Sequence, residues 1–187
     1  MSVDERMVHD IVQKVMANMQ ISGSVSGMHG VFKDMNDAIN ASIEAQKKVC
    51  TMTLDQREQI ISLIRKKTHE NAEILANMGV NETGMGNVGD KILKHHLTAD
   101  KVPGTEDIST IAWSGDRGLT LVEMGPFGVI GAITPATNPS ETVICNCIGM
   151  LAGGNTVVFN PHPNAKKTTI YTINMINEAS IEAGGPD

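Results

Sequence analysis

Two proline-terminated stretches, TPATNP (residues 134–139) and FNPHP (159–163), gather the side chains of this 187-residue chain best suited to holding a small polar ligand. Each ends an apolar run, and proline ends such a run abruptly because it fixes φ and removes a backbone donor. Asn138 and Asn160 thereby stand at strand ends, where a side-chain amide offers neutral donors and acceptors that do not titrate. Asn138 also directly precedes Pro139, the expected first residue of a helix. Its amide therefore has two uses, as an outward donor or as a helix cap.

Nucleophilic chemistry is harder to place. The three cysteines, Cys50, Cys145 and Cys147, form a sparse, odd set that reads as reduced thiols. A thiol reacts as its thiolate, which positive charge or a helix N-terminus must stabilise. Cys145 and Cys147 lie inside the apolar run TVICNCIGML, and no Lys or Arg occurs from Gly118 to Ala165. Two positions apart on a helix they point roughly 200° from one another, so they cannot share a metal and read as packing residues. Cys50 follows Lys47 and Lys48 but closes a helix, where the dipole disfavours a thiolate. His95–His96 reads as a surface pair without metal-ligand spacing, so no metal is expected. GMGNVG (84–89) matches the dinucleotide fingerprint, yet a helical segment precedes it where a strand is required. Its glycines read as a helix stop and restart.

The elements that must position these groups follow from periodicity. Over residues 1–19, Met7, Ile11, Val15 and Met19, with Val8, Val12 and Met16, make one apolar stripe on a helix. Residues 20–30, QISGSVSGMHG, have the composition of a flexible tether. Tail and tether read either as a detachable docking element or as an N-terminal helix packed on its own domain. Helices follow at MNDAINASIEAQKKV, at TLDQREQIISLIRKK with Thr53 and Gln56 as a capping box, at HENAEILANM, which continues that helix or forms a third and ends at Gly79, and at DKILKHHLTADKV. Ile108–Trp113 and Leu119–Glu123 alternate around SGDRG as a β-hairpin. FGVIGAIT and NTVVFN read as buried strands. Between them PSETVICNCIGMLAGG is a helix with Asn138 as N-cap, Pro139 at its first position and Glu141 completing a capping-box-like start. The long helix AKKTTIYTINMINEASIEAGG comes last. The fold class is α/β: a Rossmann-like, right-handed βαβα unit with added helices and a hairpin. Such units bind ligands at the carboxyl ends of their strands, which puts both prolyl stops on one rim. Two parallel strands make an incomplete sheet.

Bulk properties narrow the partners. A net charge of −6 and a pI near 5.5 argue against nucleic acid, whose partners carry a basic patch. No apolar run is long enough for a membrane span, and MSVDER lacks the basic start of an export signal, so an intracellular setting is expected. With 12 methionines but 3% aromatics, the core must be built from aliphatics and thioethers.

The segment PFGVIGAITPATNPSETVICNCIGMLAGGNTVVFNPHPNAKKTT, with ETGMGNVGDKI upstream, resembles the aldehyde dehydrogenase superfamily. More narrowly it resembles the CoA-acylating aldehyde dehydrogenases of bacterial microcompartments, of the ethanolamine- and propanediol-utilization type, from about Val31 to Asp187. The resemblance implies the N-terminal part of an aldehyde dehydrogenase fold over 31–187, with 108–123 as the hairpin of an oligomerisation extension. It implies NAD and coenzyme A as cofactor and co-substrate, and the reaction aldehyde plus NAD⁺ plus CoA to acyl-CoA plus NADH. A cysteine thiolate would attack the aldehyde, with an oxyanion stabilised beside it. That cysteine would lie beyond Asp187, leaving this chain inactive alone. By the same resemblance Ile133, Thr134, Pro135, Ala136 and Thr137 approach the cofactor, and Asn160, Pro161 and His162, after Phe159, hold ribose. Asn138 is the oxyanion donor implied, although an ungapped match to hydrolytic members puts their asparagine at Thr137. Those members also carry lysine at the position of Asn160, which favours the acylating branch over the hydrolytic one. The expected partners are a small aldehyde, further copies of the chain in a homo-oligomer, and microcompartment shell proteins reached through residues 1–19. The expected location is cytoplasmic, in the microcompartment lumen. A non-catalytic shell-docking module is the reading from a different class.

Overall fold

The structure, a computed structural model, describes residues 27–187; the helix expected over 1–19 and the first part of the tether lie outside the described residues. Helix α1 (Met35–Val49) opens on Asp34, whose carboxylate accepts from the Asn36 amide, and closes on Lys47 and Lys48, both favourable to the helix dipole. Helix α2 (Leu54–Thr83) opens on the expected capping box of Thr53 and Gln56. It runs 30 residues without a break, so Gly79 does not end it. A buried glycine inside a helix costs only about 1 kcal/mol of propensity, which the packing around it outweighs. The stop is Gly84, whose φ of 69° is the left-handed cap that glycine adopts without strain. Helix α3 (Val88–Lys101) restarts at Asn87, whose side chain accepts from the Asp90 amide. GMGNVG is thus a helix-to-helix joint.

A hairpin follows: β1 (Ile111–Gly115) pairs antiparallel with β2 (Gly118–Val122), with Ile111 opposite Val122 and Gly115 opposite Gly118. Every residue of both strands is exposed, including Ile111, Trp113, Leu119 and Leu121. The expected segments, 108–113 and 119–123, are shifted: the first strand starts three residues later and continues through Ser114 and Gly115. A 3₁₀ turn at Thr105–Asp107 occupies the approach.

The α/β unit consists of β3 (Val129–Thr134), α4 (Pro139–Ala152), β4 (Thr156–Pro161), a 3₁₀ turn (Pro163–Ala165) and α5 (Lys166–Glu182). β3 and β4 pair in parallel, with Val129 beside Thr156 and Thr134 beside Pro161. Asn155 sets the start of both strands. Its Oδ1 accepts from the Phe127 and Gly128 amides, and its Nδ2 donates to the Met150 carbonyl at the end of α4. α1 braces β4 through Gln46, which accepts from the Thr156 amide and donates to the Gly154 carbonyl.

One core joins the helices. Ile60, Ile61, Ile64 and Leu75 of α2 meet Val143, Ile144 and Ile148 of α4 and Met175, Ile176 and Ala179 of α5. Arg65 of α2 donates to the Ala99 and Val102 carbonyls, satisfying the end of α3. The strands are less enclosed than buried parallel strands should be. Ala132 and Thr134 are covered, but Ile133 on the opposite face is 85% exposed. Period-2 geometry sends alternate side chains to opposite faces, and among the described residues only one face of β3 is well covered. The end of the expected tether is also less free than its composition suggests: the His29 amide donates to Asn174 Oδ1 at 2.7 Å, and a side chain on Gly30 would collide with Asn177.

Candidate functional site

The carboxyl ends of β3 and β4 lie in register, Ile133 beside Asn160 and Thr134 beside Pro161. The rim therefore brings together Ile133, Thr134, Pro135, Ala136 and Thr137 on one side with Asn160, Pro161 and His162 on the other. Ile133, Pro135, Thr137, Asn160 and His162 are exposed. Thr134 is buried, and its hydroxyl has no hydrogen-bond partner. Leaving such a group unpaired is costly, and its burial keeps it from the exposed surface of the rim. His162 Nδ1 accepts from the Asn164 amide, so the neutral ring carries its proton on Nε2 as a donor. An exposed apolar residue beside neutral amide, hydroxyl and imidazole groups suits a ribose-bearing nucleotide.

The neighbouring helix start is not free to hold a phosphate. The Glu82 carboxylate takes the Lys167 and Thr168 amides and the Thr168 hydroxyl, each at 2.7 Å, at the opening of α5. Burial works against ionisation of Glu82, but the Thr168 and Lys167 amides, the Thr168 hydroxyl and the Lys167 charge prevail and hold its pKa below the usual value. A protein carboxylate thus already supplies the charge that the helix dipole favours there. A cleft of about 590 Å³ lies between α1, β4 and α5, and only its Asn160 and Pro161 end belongs to the rim. Its lining runs along β4 from Thr156 to Pro161 and includes Ile60 and Ile64 of α2 and Leu151 of α4.

Asn138 does not cap α4. Its φ of −139° and ψ of 63° leave the side chain without a capping hydrogen bond. Instead Lys94 Nζ donates to Asn138 Oδ1 at 2.7 Å. Glu141 completes no capping box either. It is 4% exposed and faces Lys91, whose Nζ lies 3.3 Å from Oε1. Lys91 Nζ also donates to the Thr137 carbonyl at 3.1 Å. A buried carboxylate is drawn to a buried cation more strongly than to an amide of its own helix turn.

His95 is fully buried, contrary to a surface pair. Its Nδ1 sits 2.7 Å from the Lys91 carbonyl, and Nε2 lies 2.7 Å from Ser140 Oγ. Burial, partly opposed by the Glu141 charge, lowers its pKa and favours the neutral ring. Neutral His95 then donates from Nδ1 and accepts the Ser140 proton at Nε2. His96 points elsewhere: its Nδ1 meets His69 Nδ1 at 2.7 Å, and His69 Nε2 meets Asp100 at 2.9 Å. The sequence did carry a signal for this support. In DKILKHH, Lys91, Lys94 and His95 are spaced i, i+3 and i+4, one helix face.

Cys145 and Cys147 are not prepared as nucleophiles. Cys147 packs against the core, and burial pushes its pKa up to about 12. Burial also raises the Cys145 pKa, despite a hydrogen bond with the Thr98 side chain. Cys50 is exposed and accepts from Gln46 Nε2 at 3.2 Å. No group of three or more metal-ligating side chains occurs among the described residues, and no described helix is long and apolar enough to cross a membrane.

Residues 15–185 match the aldehyde dehydrogenase family. The chain is 46% identical over 190 residues to an acetaldehyde dehydrogenase (acetylating) of Bilophila wadsworthia, covering 97% of this chain and 39% of that protein. A propionaldehyde dehydrogenase from the Clostridium phytofermentans fucose utilisation bacterial microcompartment superposes with a TM-score of 0.81 at 74% identity, covering 84% of this chain and 36% of that one. A Rhodopseudomonas palustris propionaldehyde dehydrogenase, with bound CoA and an acylated cysteine, gives 0.81 at 46% identity over the same shares, 84% and 36%. The chain thus spans about two fifths of the length of these relatives.

Proposed function

The chain belongs to the aldehyde dehydrogenase family, and from that premise we propose that it is the nucleotide-binding N-terminal portion of an NAD-dependent, CoA-acylating aldehyde dehydrogenase. The observation that carries this reading is the rim itself, where Asn160 stands in register beside Ile133 at the ends of two parallel strands. A neutral amide there can bond ribose hydroxyls without imposing a charge, which suits a site visited by both NAD and coenzyme A. Bound there, NAD takes up the hydride of aldehyde oxidation and CoA takes up the acyl group. Within this chain Thr134, Pro135, Ala136 and Thr137 shape one wall of the site, Asn160, Pro161 and His162 the other, and Ile133 offers an apolar surface. Asn138 donates Nδ2–H to the oxyanion.

The reacting thiolate is supplied from outside this chain, because burial disfavours ionisation of Cys145 and Cys147 and Cys50 stands at the C-terminal end of α1. The exposed apolar hairpin, Ile111–Val122, is an assembly surface of a homo-oligomer. Residues 1–19 dock on shell proteins, and the enzyme works in the lumen of a cytoplasmic microcompartment, as one relative's source supports. The test compares two preparations given acetaldehyde or propionaldehyde with NAD⁺. The complete polypeptide carrying this chain forms NADH only when CoA is added and yields the acyl-CoA, whereas residues 1–187 alone form none. Free carboxylic acid as the product, formed without CoA, would overturn the acylating assignment.

A further inference from the structure

Building on the reading of Asn138 as the oxyanion donor, we propose that α3 sets the orientation of that amide through two positioning residues, Lys94 and Lys91. An asparagine amide has two orientations of nearly equal shape, which exchange its oxygen and nitrogen. Only one of them aims N–H groups at a developing negative charge. Lys94 decides between them, because an ammonium has three donors and no acceptor. With Nζ 2.7 Å away, only Oδ1 can face it, and Nδ2 must turn the other way. The described partner of Nδ2 is Thr137 Oγ1 at 3.5 Å, the limit of a hydrogen bond, so the amide keeps its donor capacity. The Lys94 charge also polarises the amide, making its N–H groups stronger donors.

Lys91 holds the backbone from the same helix face, three residues earlier. Its Nζ donates to the Thr137 carbonyl, fixing the peptide that leads into Asn138. Lys91 is 6% exposed and paired with Glu141, so its ammonium is held in place. The pair has a second effect: an unpaired carboxylate at Glu141, three residues from Asn138, would oppose the oxyanion that Asn138 receives. The two lysines thus explain why Asn138, at a position that favours capping residues, is not a cap.

Lys94 is exposed, so its substitution leaves the fold intact, and the test centres on it. In the complete polypeptide carrying this chain, Asn138→Ala should lower kcat about 100-fold, as loss of one oxyanion donor does. Lys94→Met should lower kcat about tenfold with the KM values for NAD⁺ and CoA unchanged, because orientation of the amide matters to the transition state and not to cofactor binding. Lys94→Arg should restore most of that loss, since a guanidinium also only donates. The double variant Lys94→Met/Asn138→Ala should be no slower than Asn138→Ala, because the lysine acts through the amide. Unchanged kcat in Lys94→Met, a rise in KM alone, or additive losses in the double variant would each overturn the positioning role. Unchanged kcat in Asn138→Ala would overturn the oxyanion reading itself, and this proposal with it.

Discussion

Replacing Lys91 by methionine removes one partner of the most enclosed ion pair in the described structure, with side chains 7% and 5% exposed. Methionine matches the lysine stem in length and fills its apolar path, so the change isolates the ammonium. What remains is the Glu141 carboxylate, buried beside Ser140, whose hydroxyl is 2.7 Å from His95 Nε2 and 3.1 Å from Glu141. One hydroxyl proton cannot serve both. Breaking a buried pair in this way costs about 3–5 kcal/mol, because a charge is left without compensation. The Thr137 carbonyl loses its donor as well, adding about 1 kcal/mol at a partly buried site. A loss of about 4–6 kcal/mol would lower the midpoint of a domain this size by roughly 10–20 °C. Circular dichroism of the helices during urea and thermal unfolding, with amide exchange along α4, measures it. Lys91→Met/Glu141→Leu should recover most of the stability, since an apolar pair of similar volume is nearly neutral in such places. A loss under 1 kcal/mol, or a double variant no better than the single one, would refute the reasoning.

Glu82→Gln should cost about 1–2 kcal/mol at neutral pH, because a charged cap at the start of α5 becomes a neutral one. The Glu82 pKa is depressed in the folded state, so its contribution is present above the ordinary value of 4.5 and is lost as pH falls through the folded value. The stability difference between Glu82→Gln and the parent should therefore close at acid pH in denaturant titrations, and a constant difference would contradict it. Asn160→Ala in the complete enzyme should raise the KM for NAD⁺ or CoA with little change in kcat, as for a contact made equally in ground and transition states. A fall in kcat alone would place Asn160 in the chemistry. Ile11→Asp with Val15→Asp should abolish co-purification with shell proteins while leaving activity intact, since each buried apolar side chain contributes about 1.5–3 kcal/mol. Packaging at the parental level would remove the docking role of residues 1–19.

Local rules carry much of this protein. The Thr53 and Gln56 capping box, the helix joint at GMGNVG, the parallel strands with their prolyl ends and the order of the helices are all encoded by residues within a few positions of one another. Such signals can be read from the chain because a cap, a proline or a period acts over one turn or one strand. The helix before GMGNVG is by itself enough to bar it from being a nucleotide loop. Gly79 does not end α2, because helix propensity is a weak local preference and the packing of α2 overrides it.

The support of the rim was decided elsewhere. Asn138 and Glu141 have every local mark of a helix start, and both are taken instead by lysines 44 and 50 residues earlier. His95 and His96 are neighbours in sequence but diverge in space, one buried against Ser140 and the other meeting His69 across the α2–α3 interface. The sequence by itself determined which groups stand at the ends of β3 and β4. Only the tertiary structure decided which way they face, because a buried charge takes the partner that packing brings within reach rather than the one its own helix offers.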